Sequence, residues 1–322
     1  MGNRSLQQNE AIRQAIEAAG GVVDVVRDPS EPGHWIEPDG RPYAYIASVD
    51  FSTDDAEPPP LTKDLFAAIS LLPELRTLVL TKRQFDEEWL SYIVSCGELI
   101  RLELGQTPIT DRAAAWITQC GNLMDLALYD TRITDCGAGQ LWMLPKLQTL
   151  SIGGTEISDV GLDSFARMSM LRDLYLEDLP IRGLHFDRFA QCRLLESIYL
   201  TNTKIADDAL HGIAAIESIE ELMLRGTTIG DEGVSALRSL ANLTKIVLDG
   251  AAITVRSLKA LMECPNITRL YIDGCQNISR EDILRTIDFN KISMLGCRGI
   301  GLTNDDLSEI RREYPGVIVS DS

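Results

Sequence analysis

Apolar residues return along this chain in a fixed cadence. In the stretch Leu147 to Ile157 the first, fourth and sixth residues, Leu147, Leu150 and Ile152, are apolar and a Gly-Gly turn follows. The same spelling starts at Leu75, Leu99, Leu123, Leu147, Leu171, Leu195, Ile219, Leu243 and Ile267, and each start falls 24 residues after the last. Alternate apolar residues over so short a run read as a strand with one buried face. A fixed period of this length predicts a solenoid, one supersecondary unit per repeat.

The polar positions fill in the rest of the unit. After each strand a threonine stands two residues before an isoleucine, as in Thr107-Pro-Ile109, Thr131-Arg-Ile133, Thr155-Glu-Ile157, Thr203-Lys-Ile205 and Thr227-Thr-Ile229. Such threonines are expected to point inward and hydrogen-bond loop backbone that would otherwise be buried unpaired. Thr110-Asp111, Thr134-Asp135 and Ser158-Asp159 then place a hydroxyl at a helix N-cap and an acid in its first turn. Ser279 to Asp282 and Thr303 to Asp306 read as capping boxes with Asp in the Glu role. Helix faces follow at three-residue steps, such as Leu162, Phe165, Met168 and Leu210, Ile213, Ile216. Right-handed connection of one strand and one helix per repeat predicts an α/β solenoid with a parallel sheet inside and helices outside. Helices need about 10 Å of lateral room and strands about 4.8 Å, so the expected stack is a horseshoe with the sheet concave.

The ends depart from the period. Leu6 to Ala19 has the spacing of one helical face, ends at Gly20-Gly21 and is followed by a strand at Val22 to Val26. Residues 1–45 are read as a helix-strand cap over the open end of the repeat core. Turns at 28–33 and 38–42 flank Trp35 and Ile36, and a divergent first repeat (Ile46, Val49, Phe51) lies 29 residues before Leu75, its excess in the loop Asp54 to Pro60. Leu179-Pro180 and Gly183-Leu184-His185 predict an irregular outer segment in the repeat that starts at Leu171. The last repeat is read as coming early, with Phe289, Ile292 and Met294 in the strand positions, 22 residues after Ile267. The expected organisation is one continuous body: the cap, about eleven repeats over 46–300, and a closing helix (Asp305 to Arg312) and strand (Val317 to Val319) within 301–322.

The motif Leu-x-x-Leu-x-Leu-x-x-Thr-x-Ile-Thr-Asp resembles the leucine-rich repeat family. It looks similar to ribonuclease-inhibitor-like and cysteine-containing repeats and to bacterial arrays spelled Thr-x-Ile-Thr-Asp-x-Gly-Leu. The match runs from about Ile46 to Val319. The resemblance implies a protein-binding array that seldom catalyses. Some relatives carry an F-box before the repeats, which residues 1–45 are too short and too different to supply.

Charge narrows the partner. A formal net charge of −18 disfavours a nucleic-acid backbone or an anionic membrane surface. It fits either a solvated repeat surface or a partner with a basic segment. No apolar run is long enough for a transmembrane helix, and the first residues lack the pattern of a secretory or myristoylation signal. The seven cysteines include no Cys-x-x-Cys pair. Cys96, Cys120, Cys192 and Cys264 stand where other repeats carry Leu144, Met168, Ile216 and Leu240. They read as buried reduced thiols in a cytoplasmic protein. Cys275 and Cys297 are read as equivalent positions in neighbouring repeats, where a disulfide or a two-thiol site is conceivable. No cofactor or metal is expected.

Candidate chemistry lies on the strand residues between the leucines. The middle position of each strand reads Asp50, Val79, Glu103, Ala127, Ser151, Tyr175, Tyr199, Met223, Val247, Tyr271 and Ser293. From Tyr175 to Tyr271 this is an apolar and aromatic stripe, suited to protein recognition or to mutual packing. Two residues earlier, Asp125, Asp173 and Glu221 give way to Lys245, Arg269 and Lys291; after the stripe come Tyr129, Asp130, Glu177, Asp178, Arg225, Asp249 and Asp273. The expected partner-binding set is Tyr129, Tyr175, Tyr199, Met223, Arg225, Val247, Arg269 and Tyr271.

No catalytic set emerges. His34, His185 and His211 fall in separate segments, and carboxylate pairs such as Asp54-Asp55, Asp207-Asp208 and Asp305-Asp306 are explained by helix dipoles. Gly153-Gly154 and the glycines at 226, 250, 274 and 296 read as turns. Trp89, Trp116 and Trp142, on consecutive helices, fit packing or a second interface. The functional expectation is a non-enzymatic, monomeric scaffold or recognition module for a protein partner. The alternative is an adaptor that recruits a substrate to an enzyme on another chain, docked by its N-terminal cap.

Overall fold

The computed structural model describes residues 2–27, 44–53 and 57–320. The expected turns around Trp35 and Ile36, His34 and the Asp54-Asp55 pair lie outside the described residues. The chain forms two compact units, Met1–Ser151 and Ile152–Ser322.

The N-terminal unit opens with α1 (Gly2–Ala18), whose Ile12 and Ile16 are buried, and with β1 (Val22–Arg27) paired antiparallel to β2 (Ala44–Asp50). From β2 onward the pairing is parallel and sequential through β3 (Thr77–Val79), β4 (Arg101–Glu103), β5 (Asp125–Ala127) and β6 (Thr149–Ser151). Helices α2 (Lys63–Ile69), α3 (Leu90–Ile93, entered by a 3₁₀ turn at Glu87–Trp89), α4 (Asp111–Ile117) and α5 (Asp135–Leu141) alternate with the strands. In the C-terminal unit the strands are β7 (Asp173–Tyr175), β8 (Ser197–Tyr199), β9 (Glu221–Met223), β10 (Lys245–Val247), β11 (Arg269–Tyr271), β12 (Met294–Gly296) and β13 (Ile318–Ser320), all parallel. Its helices are α6 (Asp159–Phe165), α7 (Asp207–Ile213), α8 (Asp231–Ala236), α9 (Val255–Glu263), α10 (Arg280–Thr286) and α11 (Asn304–Glu313). The segment after β7 holds only a 3₁₀ helix, Phe186–Gln191, as the lost threonine and acid foreshadow.

Register is set by the leucines. Leu78 pairs with Leu102, Leu102 with Leu126 and Leu126 with Leu150. All four are fully buried, and the helix-face residues Leu162, Phe165, Leu210 and Ile213 are buried against the same kind of core. Because the side-chain period of a strand is two, one uniform register keeps the whole leucine set inside.

Two hydrogen-bond ladders recur along the repeats, the first within each repeat and the second between neighbours. The hydroxyls of Thr107, Thr131, Thr155, Thr203 and Thr227 each donate to the carbonyl three residues earlier, at 2.6–2.8 Å, as their spacing predicts. The second ladder goes beyond the helix dipole. A carboxylate in the first turn of one helix accepts from the start of the next: Asp111 from the Thr134 N–H (2.8 Å) and hydroxyl (2.7 Å), and Asp207 from the Gly230 N–H (2.7 Å). Such acids reach 23 residues ahead, which leaves room only for a small residue opposite. A Cβ on Gly233 would come within 2.8 Å of the Asp207 Cα.

The last repeats correct the sequence reading. Met294 aligns with Arg269 and Gly296 with Tyr271, so the buried frame is Ile292, Leu295 and Cys297, not Phe289, Ile292 and Met294. One additional residue between Cys275 and Ile278, compared with Ala251 to Ile253, lengthens this repeat rather than shortening it. Ser293 therefore drops out of the middle row and Gly296 takes its place. Cys297 is equivalent to Ile272, while Cys275 stands in the threonine ladder. Gly296 is not a turn residue; the left-handed turn falls to Gly299 (φ 76°), matching Gly274 (φ 69°).

All seven cysteines are free thiols and only Cys136 is exposed. Burial pushes Cys96 up to about 12 and Cys120, Cys192, Cys264 and Cys275 up to about 11. The Cys192 thiol donates to the Ala166 carbonyl (3.2 Å) and Cys264 to that of Leu237 (3.5 Å), a contact that leucine at this position cannot make.

The C-terminal helix carries a pH prediction. Asp306 is nearly fully buried, accepts from Arg280 Nε (2.6 Å) and closes a capping box with Thr303. Hydrogen bonds from Arg280, then from Thr303, hold its carboxyl well below the usual carboxylate range. A depressed folded value means stabilisation that is complete above the unfolded carboxylate range, near pH 4, and is lost as pH falls through the folded value. Amide exchange of α11 and β13 should accelerate on acidification below about pH 4 in the wild type. In Asp306→Asn that acid-dependent component should vanish; an unchanged pH profile would remove Asp306 from the account.

Candidate functional site

The open face of the sheet in the C-terminal unit carries the residues between the leucines. Register places Tyr175, Tyr199, Met223, Val247 and Tyr271 in one row across β7 to β11, and the row ends on Gly296 of β12. The rings of Tyr175 and Tyr199 stack at 4.2 Å between centroids and 15° between planes. Burial raises the Tyr199 phenol above its ordinary value, and a hydrogen bond with Tyr175 adds to this, as do the nearby Glu221 and Asp173 carboxylates. Both rings remain half-buried. Met223 is only 7% exposed, so this member of the expected set lies beneath its neighbours and offers little contact area. Tyr271 crosses onto the next strand, its hydroxyl donating to the Met294 sulfur (2.8 Å); the missing Cβ of Gly296 leaves room for its ring.

A charged row borders the stripe. Glu221 is held by Lys245 (3.2 Å) and by Arg269 (2.8 Å), so the acid is shared between two cations and the trio keeps one net positive charge. Lys291, expected to continue this row, instead turns its ammonium to the carbonyls of Met262 and Cys264, and the apolar Met294 fills the row. On the other side stand Glu177, the exposed Arg225, Asp249 and Asp273. Burial raises the carboxyls of Glu177 and Asp249. Asp249 Oδ1 also accepts the Asp273 N–H (2.9 Å).

Tyr129 belongs to the N-terminal unit, where its ring lies over Gly105. Trp89, Trp116 and Trp142 are half-buried on that unit's helices, Trp89 edge-on to Phe66 (5.6 Å). His185 Nδ1 donates to the Asp163 carboxylate (3.0 Å), which Arg188 also contacts, and His211 bonds its own helix backbone. Among the described residues no three metal-ligating side chains converge, and no helix is long and apolar enough to cross a membrane.

A leucine-rich repeat family model matches residues 144–166 and 216–237. No curated protein matches the chain by sequence. Among solved structures, internalin C2 of Listeria monocytogenes superposes with a TM-score of 0.51 at 19% identity, over 66% of this chain and 84% of that one. Internalin inlF of the same species gives 0.57 at 16% identity, over 97% and 86%. The ectodomain of the plant membrane receptor kinase GASSHO1/SCHENGEN3 of Arabidopsis thaliana, solved in complex with CASPARIAN STRIP INTEGRITY FACTOR 2, gives 0.52 at 13% identity, over 96% and 43%. With its 24-residue frame and alternating strands and helices, the chain has the leucine-rich repeat fold. The fold is in general one of protein–protein interaction, and its relatives are typically binding modules without catalytic chemistry.

Proposed function

We propose that this protein is a non-catalytic recognition module or scaffold that binds a protein partner through the open sheet face of its C-terminal unit. The observation that carries this reading is the register-aligned row Tyr175, Tyr199, Val247 and Tyr271, half-buried and bordered by Arg225 and Arg269. Tyrosine brings a large contact area at low conformational cost, and rings already stacked lose little further freedom on binding. The plant receptor ectodomain, crystallised in complex with CASPARIAN STRIP INTEGRITY FACTOR 2, lends the same fold to such a use. A net charge of −18 supports a partner segment that is basic. The free, buried thiols support a reducing, cytoplasmic setting, and the working form is taken as a monomer.

The test is affinity capture from native lysate with wild type and with Tyr175→Ala/Tyr199→Ala/Tyr271→Ala, after circular dichroism and melting confirm the fold. The expected result is loss of one specific captured protein, with binding weakened at least about a hundredfold if two of the rings are hot spots. An identical captured set would reduce the stripe to packing.

A further inference from the structure

The open face of the N-terminal unit holds a recess of about 700 Å³ that the protein-binding stripe does not use. Its floor is β3, where Thr77, Val79 and, by continued alternation, Thr81 present short side chains. Its walls come from the strands on either side, Ser48 and Asp50 of β2 and Arg101 and Glu103 of β4, with Ser52 and Thr53 just beyond β2. Asp50 pairs in register with Val79, and Val79 with Glu103, so two carboxylates flank the same floor residue from opposite sides. Tyr129, lying over Gly105, closes one end. Thr81 is 7% exposed, and its hydroxyl has no hydrogen-bond partner among the described residues.

We propose that this recess is a receptor site for a primary alkylammonium group, as carried by a lysine side chain or an aliphatic polyamine. An ammonium has three N–H donors and no acceptor. The recess offers three acceptors around one floor residue: the Asp50 carboxylate, the Glu103 carboxylate and the unpartnered Thr81 hydroxyl. The methylene stem would lie against Val79 and the Tyr129 ring, where a nearby cation is also favourable.

The surrounding charges favour this ligand over others. Arg101 is committed to Asp125 (2.8 Å) and to Glu103 (3.6 Å), and Lys82, which also lines the recess, is exposed; they share the lining with the two carboxylates, Asp50 and Glu103. An anion would meet both of them. A metal ion would find too few ligands, since no three metal-ligating side chains converge among the described residues. A neutral polyol would satisfy Thr81 but leave the like charges opposed. Burial raises the Glu103 carboxyl; Arg101 pulls against this, while Asp125 and Asp50 push with it. A cation between Asp50 and Glu103 relieves that repulsion.

The assignment is independent of the tyrosine stripe and is tested by different molecules. The full-length ¹⁵N-labelled chain is titrated with Nα-acetyl-lysine methylamide and with pentane-1,5-diamine, following amide shifts at Thr77 to Thr81 and Glu103. Comparators are the Nε-acetylated lysine derivative and Nα-acetyl-arginine methylamide. Saturable shifts with an amine are expected, abolished by acetylation and at least about tenfold weaker in Asp50→Asn/Glu103→Gln. Thr81→Val should weaken binding less, and Asp305→Asn/Glu313→Gln, which removes the same charge from α11, should leave it unchanged. Tighter binding of the lysine derivative assigns the site to a protein side chain, and tighter binding of the diamine assigns it to a polyamine. No saturable shift, equal binding by the acetylated compound, preference for the arginine derivative, or wild-type affinity in a folded Asp50→Asn/Glu103→Gln would each overturn the proposal.

Discussion

Arg83→Ala should destabilise the protein by about 3–5 kcal/mol, with the loss concentrated in the N-terminal cap. Arg83 occupies the threonine-ladder position of its repeat but is only 2% exposed. Its guanidinium donates to the Phe51 carbonyl (3.0 Å), to the Ala19 carbonyl (3.2 Å) and to that of Pro59, and it lies 5.6 Å from the Phe51 ring centroid. One side chain therefore joins the end of the first helix, the first repeat strand and the loop after it. Burial lowers its basicity, because the charged form is costly to desolvate. The balance still favours arginine, because deletion strands three carbonyls at about 1–3 kcal/mol each and leaves a cavity, and these costs outweigh the desolvation recovered. Arg83→Met restores volume but not donors, so it should lose less, about 1–3 kcal/mol. Urea melts and amide exchange in α1 measure both. A change below about 0.5 kcal/mol in Arg83→Ala would show that the clamp is dispensable.

Asp231→Ala should cost about 2–4 kcal/mol and loosen the join between α8 and α9. This carboxylate accepts four hydrogen bonds from the next repeat: Thr254 N–H (2.8 Å), Ser257 N–H (3.2 Å), Thr254 hydroxyl (2.6 Å) and Ser257 hydroxyl (2.6 Å). Burial alone would raise its carboxyl, yet the bonds from Ser257 and Thr254 outweigh burial and hold it below the ordinary value. Its contribution is thus present above the unfolded carboxylate range and lost as pH falls through the folded value. Repeat stability is a sum of nearest-neighbour terms, so the damage should show as faster amide exchange at α9 and its neighbours rather than in α1. Asp231→Asn, which keeps one acceptor oxygen, should fall between wild type and alanine. Uniform loosening throughout the chain would contradict the neighbour-coupling argument.

The legible part of this protein is the part that repeats. Leu147, Leu150 and Ile152 define a strand because apolar alternation has one physical meaning when it recurs nine times. Thr110, Thr134 and Ser158 mark helix starts because an N-cap is a local requirement, and each accepts the N–H two residues on. The slip came at Phe289 to Met294, where a single added residue after Cys275 shifted the frame and two apolar triplets competed. Only strand pairing with Arg269 and Tyr271 selects Ile292, Leu295 and Cys297. Arg83 and the inter-repeat acids were missed for a related reason. Arg83 looks like a surface residue until the Ala19 and Phe51 carbonyls are brought to it, and Asp231 looks like a dipole partner until Ser257 arrives 26 residues later.

The stripe shows the same division. Its membership was readable from spacing, since register follows the buried leucines and alternate residues must share the other face. Its accessibility was not. Met223 reads like its neighbours in the sequence yet is buried beneath them, while Tyr271 gains room because Gly296, not Ser293, stands beside it. By itself the sequence determined the repeat unit, the strand and helix of each, the inward threonines and the row that could face a partner, because all of these depend on local period and chemistry. The tertiary structure alone decided which of those side chains are shielded, which charges are already paired, and that Asp50, Glu103 and Thr81 surround one floor residue. Those properties arise from groups on different repeats, about one repeat length or more apart in the chain, and only folding sets the distances between them.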